Sequence, residues 1–164
     1  MKSSPPYRIP GMELVDHRFE LPLDHSRPGH RLIEVFVREI RDLDPGSKGK
    51  PFLLFLQGGP GFRAPLPIKK EGWIKRALKE YRILMLDTRG NGLSTPVDWQ
   101  TLAMEGDARK QADYLKHFRA DSIVRDAESI RAQLCRGEQW STIGQSYGGW
   151  CTLTYLSLHP EGLR

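Results

Sequence analysis

Gly144-Gln-Ser-Tyr-Gly148 sets one serine between two glycines, a G-x-S-x-G pattern that Gly149 extends. A serine hydroxyl is a weak nucleophile until a base activates it and donors await the oxyanion it creates. Both become reachable when a sharp strand-to-helix turn lifts the side chain clear of its neighbours. Such a turn strains the serine's backbone and brings strand and helix close together, so the flanking positions must lack side chains. Gly144 and Gly148 meet that need, and Ser146 is the candidate nucleophile. The N–H of Tyr147 would open the following helix, where partial positive charge favours an oxyanion. A glycine-rich turn with an incidental serine shares the same five letters. The neighbouring segments decide between them: Trp140 to Ile143 reads as a short strand and Tyr147 to Leu158 as a buried helix that ends before Pro160.

Two more glycine-rich stretches follow apolar runs. Gln57-Gly-Gly-Pro-Gly61 comes directly after Pro51 to Leu56, and bare glycines there let a backbone N–H approach an oxyanion closely. Gly58 or Gly59 is the candidate second donor. A phosphate-cradling loop would need G-x-x-x-x-G-K-S/T, which is absent, while a plain turn stays open. Asp87-Thr-Arg-Gly-Asn-Gly-Leu-Ser94 follows Tyr81 to Leu86. Its expected role is structural, with Gly90 and Gly92 turning the chain and the Asp87 and Arg89 charges bracing the loops. Asp87 as a catalytic acid is the minor reading, because it precedes the serine.

A base for Ser146 is harder to find. His159 is the only histidine after it, and Glu161 the only acid. His159 lies at the far end of the expected helix, about 20 Å away by helical rise, too far to take the serine's proton. His17, His25, His30 and His117 lie in peripheral segments and read as surface residues.

The elements that must position these groups follow from pattern. Residues 1–12 are Pro-rich and polar and read as an irregular arm. Residues 13–22 and 31–40 read as strands, and DLDPGSKGK as a turn. Pro51 to Leu56 is a continuous apolar run, as expected of a strand buried on both faces of a parallel sheet, and Tyr81 to Asp87 repeats that character around Ile83 to Leu86. Trp73, Ile74, Ala77 and Leu78 at helical spacing suggest a crossover helix between them. Residues 107–134 read as two helices broken near Arg119 to Asp121, with Asp121 capping the second and Gly137 stopping it. The order defines an α/β architecture, a mostly parallel sheet flanked by helices, with residues 13–164 forming part of one catalytic domain.

Bulk properties narrow the partners. A 38% hydrophobic, 27% charged chain of 164 residues is globular in composition and can form a packed core. The net charge of +5 does not point to nucleic acid, because basic residues alternate with acids, as in KKEGWIKRALKE. No apolar run approaches a membrane span, and the opening MKSSPPYRIPGMEL lacks a secretory h-region. Cys135 and Cys151 read as small core residues in a reducing compartment, which makes the cytoplasm the expected location.

Taken together, LLFLQGGPGF, LMLDTRGNGLSTP, QADYLKHFRADSIVRDAESIR and WSTIGQSYGGWCTLTYLSLHPEGL resemble the prolyl aminopeptidases (proline iminopeptidases), specifically their longer-chain bacterial branch. The resemblance covers roughly residues 10–164. It implies the N-terminal part of an α/β-hydrolase and a metal-free serine peptidase that releases N-terminal proline from peptides. Ser146 would be the nucleophile, with Tyr147 and Gly58 or Gly59 donating to the oxyanion. It also implies that the helical cap, further strands and the triad's acid and histidine lie beyond residue 164. The 164 residues alone are therefore expected to be inactive, being either truncated or completed by another chain. Thr88 and Asn91 stand where many relatives have Gln and Thr. The alternatives are an esterase or another aminopeptidase on the same elbow, and, further off, a binding domain without catalysis, which would need neither glycine-rich loop.

Overall fold

The computed structural model describes all 164 residues. Seven strands form one sheet: β1 (Lys2–Ser3), β2 (Tyr7–Ile9), β3 (Met12–Pro22), β4 (Leu32–Asp42), β5 (Phe52–Leu56), β6 (Arg82–Asp87) and β7 (Ser141–Gly144). Their spatial order is β1-β3-β4-β6-β5-β7, with β2 also paired to β3. Five helices interrupt or follow them: α1 (Gly72–Ala77), α2 (Trp99–Ala103), α3 (Ala108–Leu115), α4 (Ala120–Leu134) and α5 (Tyr147–Leu158). The sheet is mixed. β6, β5 and β7 run parallel, while β4 joins β6 antiparallel and extends into the β3–β4 hairpin.

The apolar run of β5 has no polar face because both sides of that strand are covered. Leu54 and Leu56 face one core with Val35, Val37, Leu84 and Leu86, closed by Ile123, Val124, Ala127 and Ile130 of α4 and by Cys151 and Tyr155 of α5. Phe55 faces the other with Ile40, Ile83 and Met85, closed by Leu78 and Ala64. Register then matters for function. Leu56 pairs with Leu86 on one side and with Gly144 on the other, so the three parallel strands end at one level. The chain leaves them side by side as the loops that begin at Gln57, Asp87 and Gln145.

Several expectations need correction. The arm over residues 1–12 is not irregular throughout: Lys2–Ser3 and Tyr7–Ile9 pair antiparallel with β3. Apolar alternation is too short there to be read, and the long β3 edge supplies the partner. Asp121 is not a cap. Arg119 holds the N-cap position of α4 without a side-chain bond, while Asp121 sits in the first turn and accepts from Arg125. Helix α2 went unforeseen. Asp98 starts it with a capping box to Thr101, a device whose side-chain geometry five residues of sequence barely announce. Two of the four histidines assigned to the surface are largely buried. His17 Nε2 lies 3.0 Å from Glu39 and His25 Nε2 lies 2.9 Å from Asp126. A hydrogen-bonded partner is what lets such groups enter the interior. Helix α5 is half buried rather than buried: Cys151 and Tyr155 face the core, while Trp150, Leu153 and Leu156 are exposed. No helix is long and apolar enough to cross a membrane.

Candidate active site

Ser146 occupies the single turn between β7 and α5 with φ 54° and ψ −119°, a conformation that side chains with a Cβ rarely adopt. Such strain costs on the order of 1–3 kcal/mol and persists only where its surroundings enforce it. The surroundings here are steric. A Cβ on Gly148 would collide with the carbonyl oxygen of Leu56, and one on Gly144 with the backbone of Gly148. Both glycines are therefore required by close approach. The turn presses the start of α5 against the end of β5, and the serine projects to an exposed position.

Gly58 comes to the same place from the neighbouring strand. A Cβ there would lie 3.0 Å from the Cβ of Ser146 and 2.8 Å from the carbonyl of Gln145. The candidate donors differ in what they already bond. Gly58 N–H donates to the carboxamide oxygen of its own neighbour, Gln57, at 3.0 Å. The N–H groups of Gly59 and Tyr147 have no backbone acceptor. Tyr147 N–H is the first of α5, where the helix leaves its donors free. Burial pushes the Tyr147 phenol above its ordinary range, so this side chain is a neutral wall at any working pH.

The third loop is built differently. Asp87 is buried and accepts from the backbone of Ala64 and of Leu93, both at 2.8 Å. It ties the loop after β5 to the loop after β6, as a brace does, and both of its oxygens are in use. Arg89 does not pair with Asp87. Its guanidinium is fully buried and grips both oxygens of Asp126 at 2.6 and 2.7 Å. It also donates to the carbonyls of Leu23, Pro22 and His117. One side chain thus fastens the β3–β4 connection, the end of α3 and α4 to the loop beside the serine.

A cleft of about 190 Å³ opens between the loops after β5 and β6, reaching Gly58 on one side and Tyr147 on the other. Val97, Phe118 and Ile123 form its apolar wall, and Gln57, Thr88 and Asn91 its polar one. Sequence patterning missed Val97, Phe118 and Ile123 as site residues. At helical or loop spacing an apolar side chain reads as core, and all three do also pack against the core.

No histidine side chain is hydrogen-bonded to Ser146. His17 and His25 are held by carboxylates, and His17 also meets the hydroxyl of Ser3 at 2.8 Å. His159 terminates α5 and approaches Glu161 at 3.3 Å. Both cysteines are free and buried. Burial pushes the Cys151 thiol up to about 11 and the Cys135 thiol up to about 12, which makes each a poor nucleophile. No cluster of three or more His, Cys, Asp or Glu side chains is placed to hold a metal ion.

A mixed sheet whose parallel strands end at a strained serine between glycine-packed loops is the arrangement of the α/β-hydrolase fold. Comparison with known proteins agrees: residues 51–164 match the alpha/beta hydrolase fold family, and the chain belongs to it. Among individual relatives, the chain is 52% identical to a proline iminopeptidase of Aeromonas sobria, over 99% of its own length and 38% of the relative's. It is 43% identical to proline iminopeptidase aneH of Aspergillus aculeatus, over 89% of its length and 34% of the relative's. The chain thus spans little more than a third of the curated relatives it matches. Solved structures share the fold at low identity. A hydrolase from Pseudomonas aeruginosa PA01 superposes with a TM-score of 0.56 at 16% identity, covering 90% of this chain and 43% of that one. An epoxide hydrolase from an endophytic Streptomyces does so with a TM-score of 0.52 at 16% identity, covering 92% and 35%.

Proposed function

We propose that the full-length protein is a serine aminopeptidase that releases N-terminal proline from peptides, with Ser146 as its nucleophile. The observation that carries this is the backbone of Ser146, held at positive φ beside Gly58 and exposed at the end of the parallel strands. A strained serine whose hydroxyl makes no hydrogen bond is best explained by chemistry. The substrate follows from the two relatives named proline iminopeptidase.

In this reading the Oγ of Ser146 bonds to the prolyl carbonyl carbon as its proton passes to a general base. The oxyanion takes hydrogen bonds from Tyr147 N–H and from Gly59 N–H, the glycine donor whose bond is not already made to Gln57. The base returns its proton to the departing nitrogen as the C–N bond breaks. Water then adds to the acyl carbon by the same route, releasing proline and restoring the Ser146 hydroxyl. The base is not found among the five histidines here, none of which bonds to Ser146. We place it, with its acid, in the part of the protein that corresponds to the relatives' remaining length. Two free, buried cysteines support a reducing compartment, the cytoplasm.

The test uses the full-length protein. Prolyl-arylamide turnover and labelling by a fluorophosphonate are expected in the wild type. Ser146→Ala should abolish labelling and lower kcat by about 10⁴-fold or more, with the fold intact. Retention of a tenth of the wild-type kcat would remove Ser146 from the mechanism.

A further inference from the structure

We propose that the cleft between the loops after β5 and β6 receives the first residue of the departing peptide and selects an uncharged one. This rests on the aminopeptidase reading above and adds a direction to it. The argument is one of charge. An N-terminal prolyl residue carries its positive charge on the ring nitrogen, so ring and charge cannot be bound in different places. A site that encloses the ring must therefore offer an anion to pair with the cation. The cleft wall contains no Asp or Glu. Its only charged residue is Arg89, a cation, and that guanidinium is spent on Asp126 and three carbonyls. A prolyl cation entering the cleft would find no counter-charge.

The residue after the scissile bond has no such requirement. Its nitrogen is an uncharged amide while the substrate is bound and gains a proton only as the bond breaks. The wall matches it: Val97, Phe118, Ile123 and Tyr147 can cover an apolar side chain, while the carboxamides of Gln57 and Asn91 can bond a peptide group. At about 190 Å³ the cleft has room for one residue, below the ~300–1,000 Å³ of sites that enclose a drug-sized ligand. Asn91 sits where the choice is made. It is only partly buried, and its amide donates to Thr88 Oγ1 at 2.8 Å, so the loop itself fixes its orientation.

The test is the second-residue profile of the full-length protein, as kcat/KM on Pro-Leu, Pro-Gly, Pro-Lys and Pro-Glu amides. In the wild type Pro-Leu should exceed Pro-Lys and Pro-Glu by about tenfold. Asn91→Asp should raise the Pro-Lys to Pro-Leu ratio by about tenfold, because it supplies the missing anion. Val97→Phe, which fills the apolar side, should lower Pro-Leu against Pro-Gly by a similar factor and serves if the first variant folds poorly. A profile identical in the wild type and the folded variants, with prolyl turnover intact, overturns the cleft assignment and leaves the aminopeptidase reading standing. A full-length protein that a fluorophosphonate labels but that cleaves no prolyl substrate overturns the aminopeptidase reading, and the cleft assignment with it.

Discussion

The turn at Ser146 and the loop from Asp87 to Ser94 leave neighbouring parts of the same sheet edge, and both are rich in glycine, yet they treat their polar groups in opposite ways. In the second, Asp87, Arg89 and Ser94 are buried and bonded. Asp87 accepts two backbone N–H groups, Arg89 uses its five N–H groups on Asp126 and three carbonyls, and Ser94 donates to the carbonyl of Asp87 while accepting from Phe36 N–H. In the first, the polar side chain is exposed and the backbone is held in an unfavourable conformation. A buried polar group must be satisfied to be tolerated, so satisfaction there indicates structure. Strain around an exposed hydroxyl stabilises nothing, and that is the ground on which we propose a chemical role for it.

That contrast can be broken by substitution, and Arg89 should give the largest effect on stability. Arg89→Met leaves Asp126 buried with only His25 beside it, and removing one partner of a buried pair costs about 3–5 kcal/mol. Urea denaturation of the full-length protein should show that loss, whereas Ser146→Ala should change the midpoint little. Equal midpoints for the two variants would erase the distinction. Gly148→Ala comes next. Its Cβ meets the backbone oxygen of Leu56, which cannot swing aside as a flexible side chain would, and the expected cost is ~3 kcal/mol. A variant as stable as the wild type would mean that the elbow and β5 are not in contact. The smallest effect has the opposite sign. Ser146→Gly relieves the positive φ and should stabilise the fold by ~1 kcal/mol, read as a rise in melting temperature, while abolishing turnover. A destabilised glycine variant would show that the serine's backbone is not strained.

How legible these regions were in the sequence follows from the same contrast. The elbow was readable because each requirement falls on a local residue type: a glycine, a serine, a glycine, a strand before and a helix after. The helix begins at Tyr147 and ends at Leu158, where its apolar content and Pro160 place it. The bracing role of the Asp87 loop was also readable, but not its partners. Asp126 is 37 residues from Arg89 along the chain, and nothing local announces a bond over that span. The same limit explains His17 and His25. A histidine on a strand or in a loop reads as exposed until the fold supplies Glu39 or Asp126. The cleft was invisible for a different reason. Val97, Phe118 and Ile123 contribute to the core and to a wall at once, and hydrophobic pattern records only the first.

The contact between Gly148 and the end of β5 has a consequence for motion. Leu56 ends the strand that leads into Gly58 and Gly59, and it presses on the helix turn that follows Ser146. Two parts of the machinery that come from distant stretches of sequence therefore move as one body. A contact this close would carry strand end and helix end together when the sheet flexes, and so hold the width of the gap between the serine and the glycine loop. Precision at this edge does not depend on stiffening the whole domain. The rest of the molecule can then breathe around a small rigid wedge without disturbing the alignment within it.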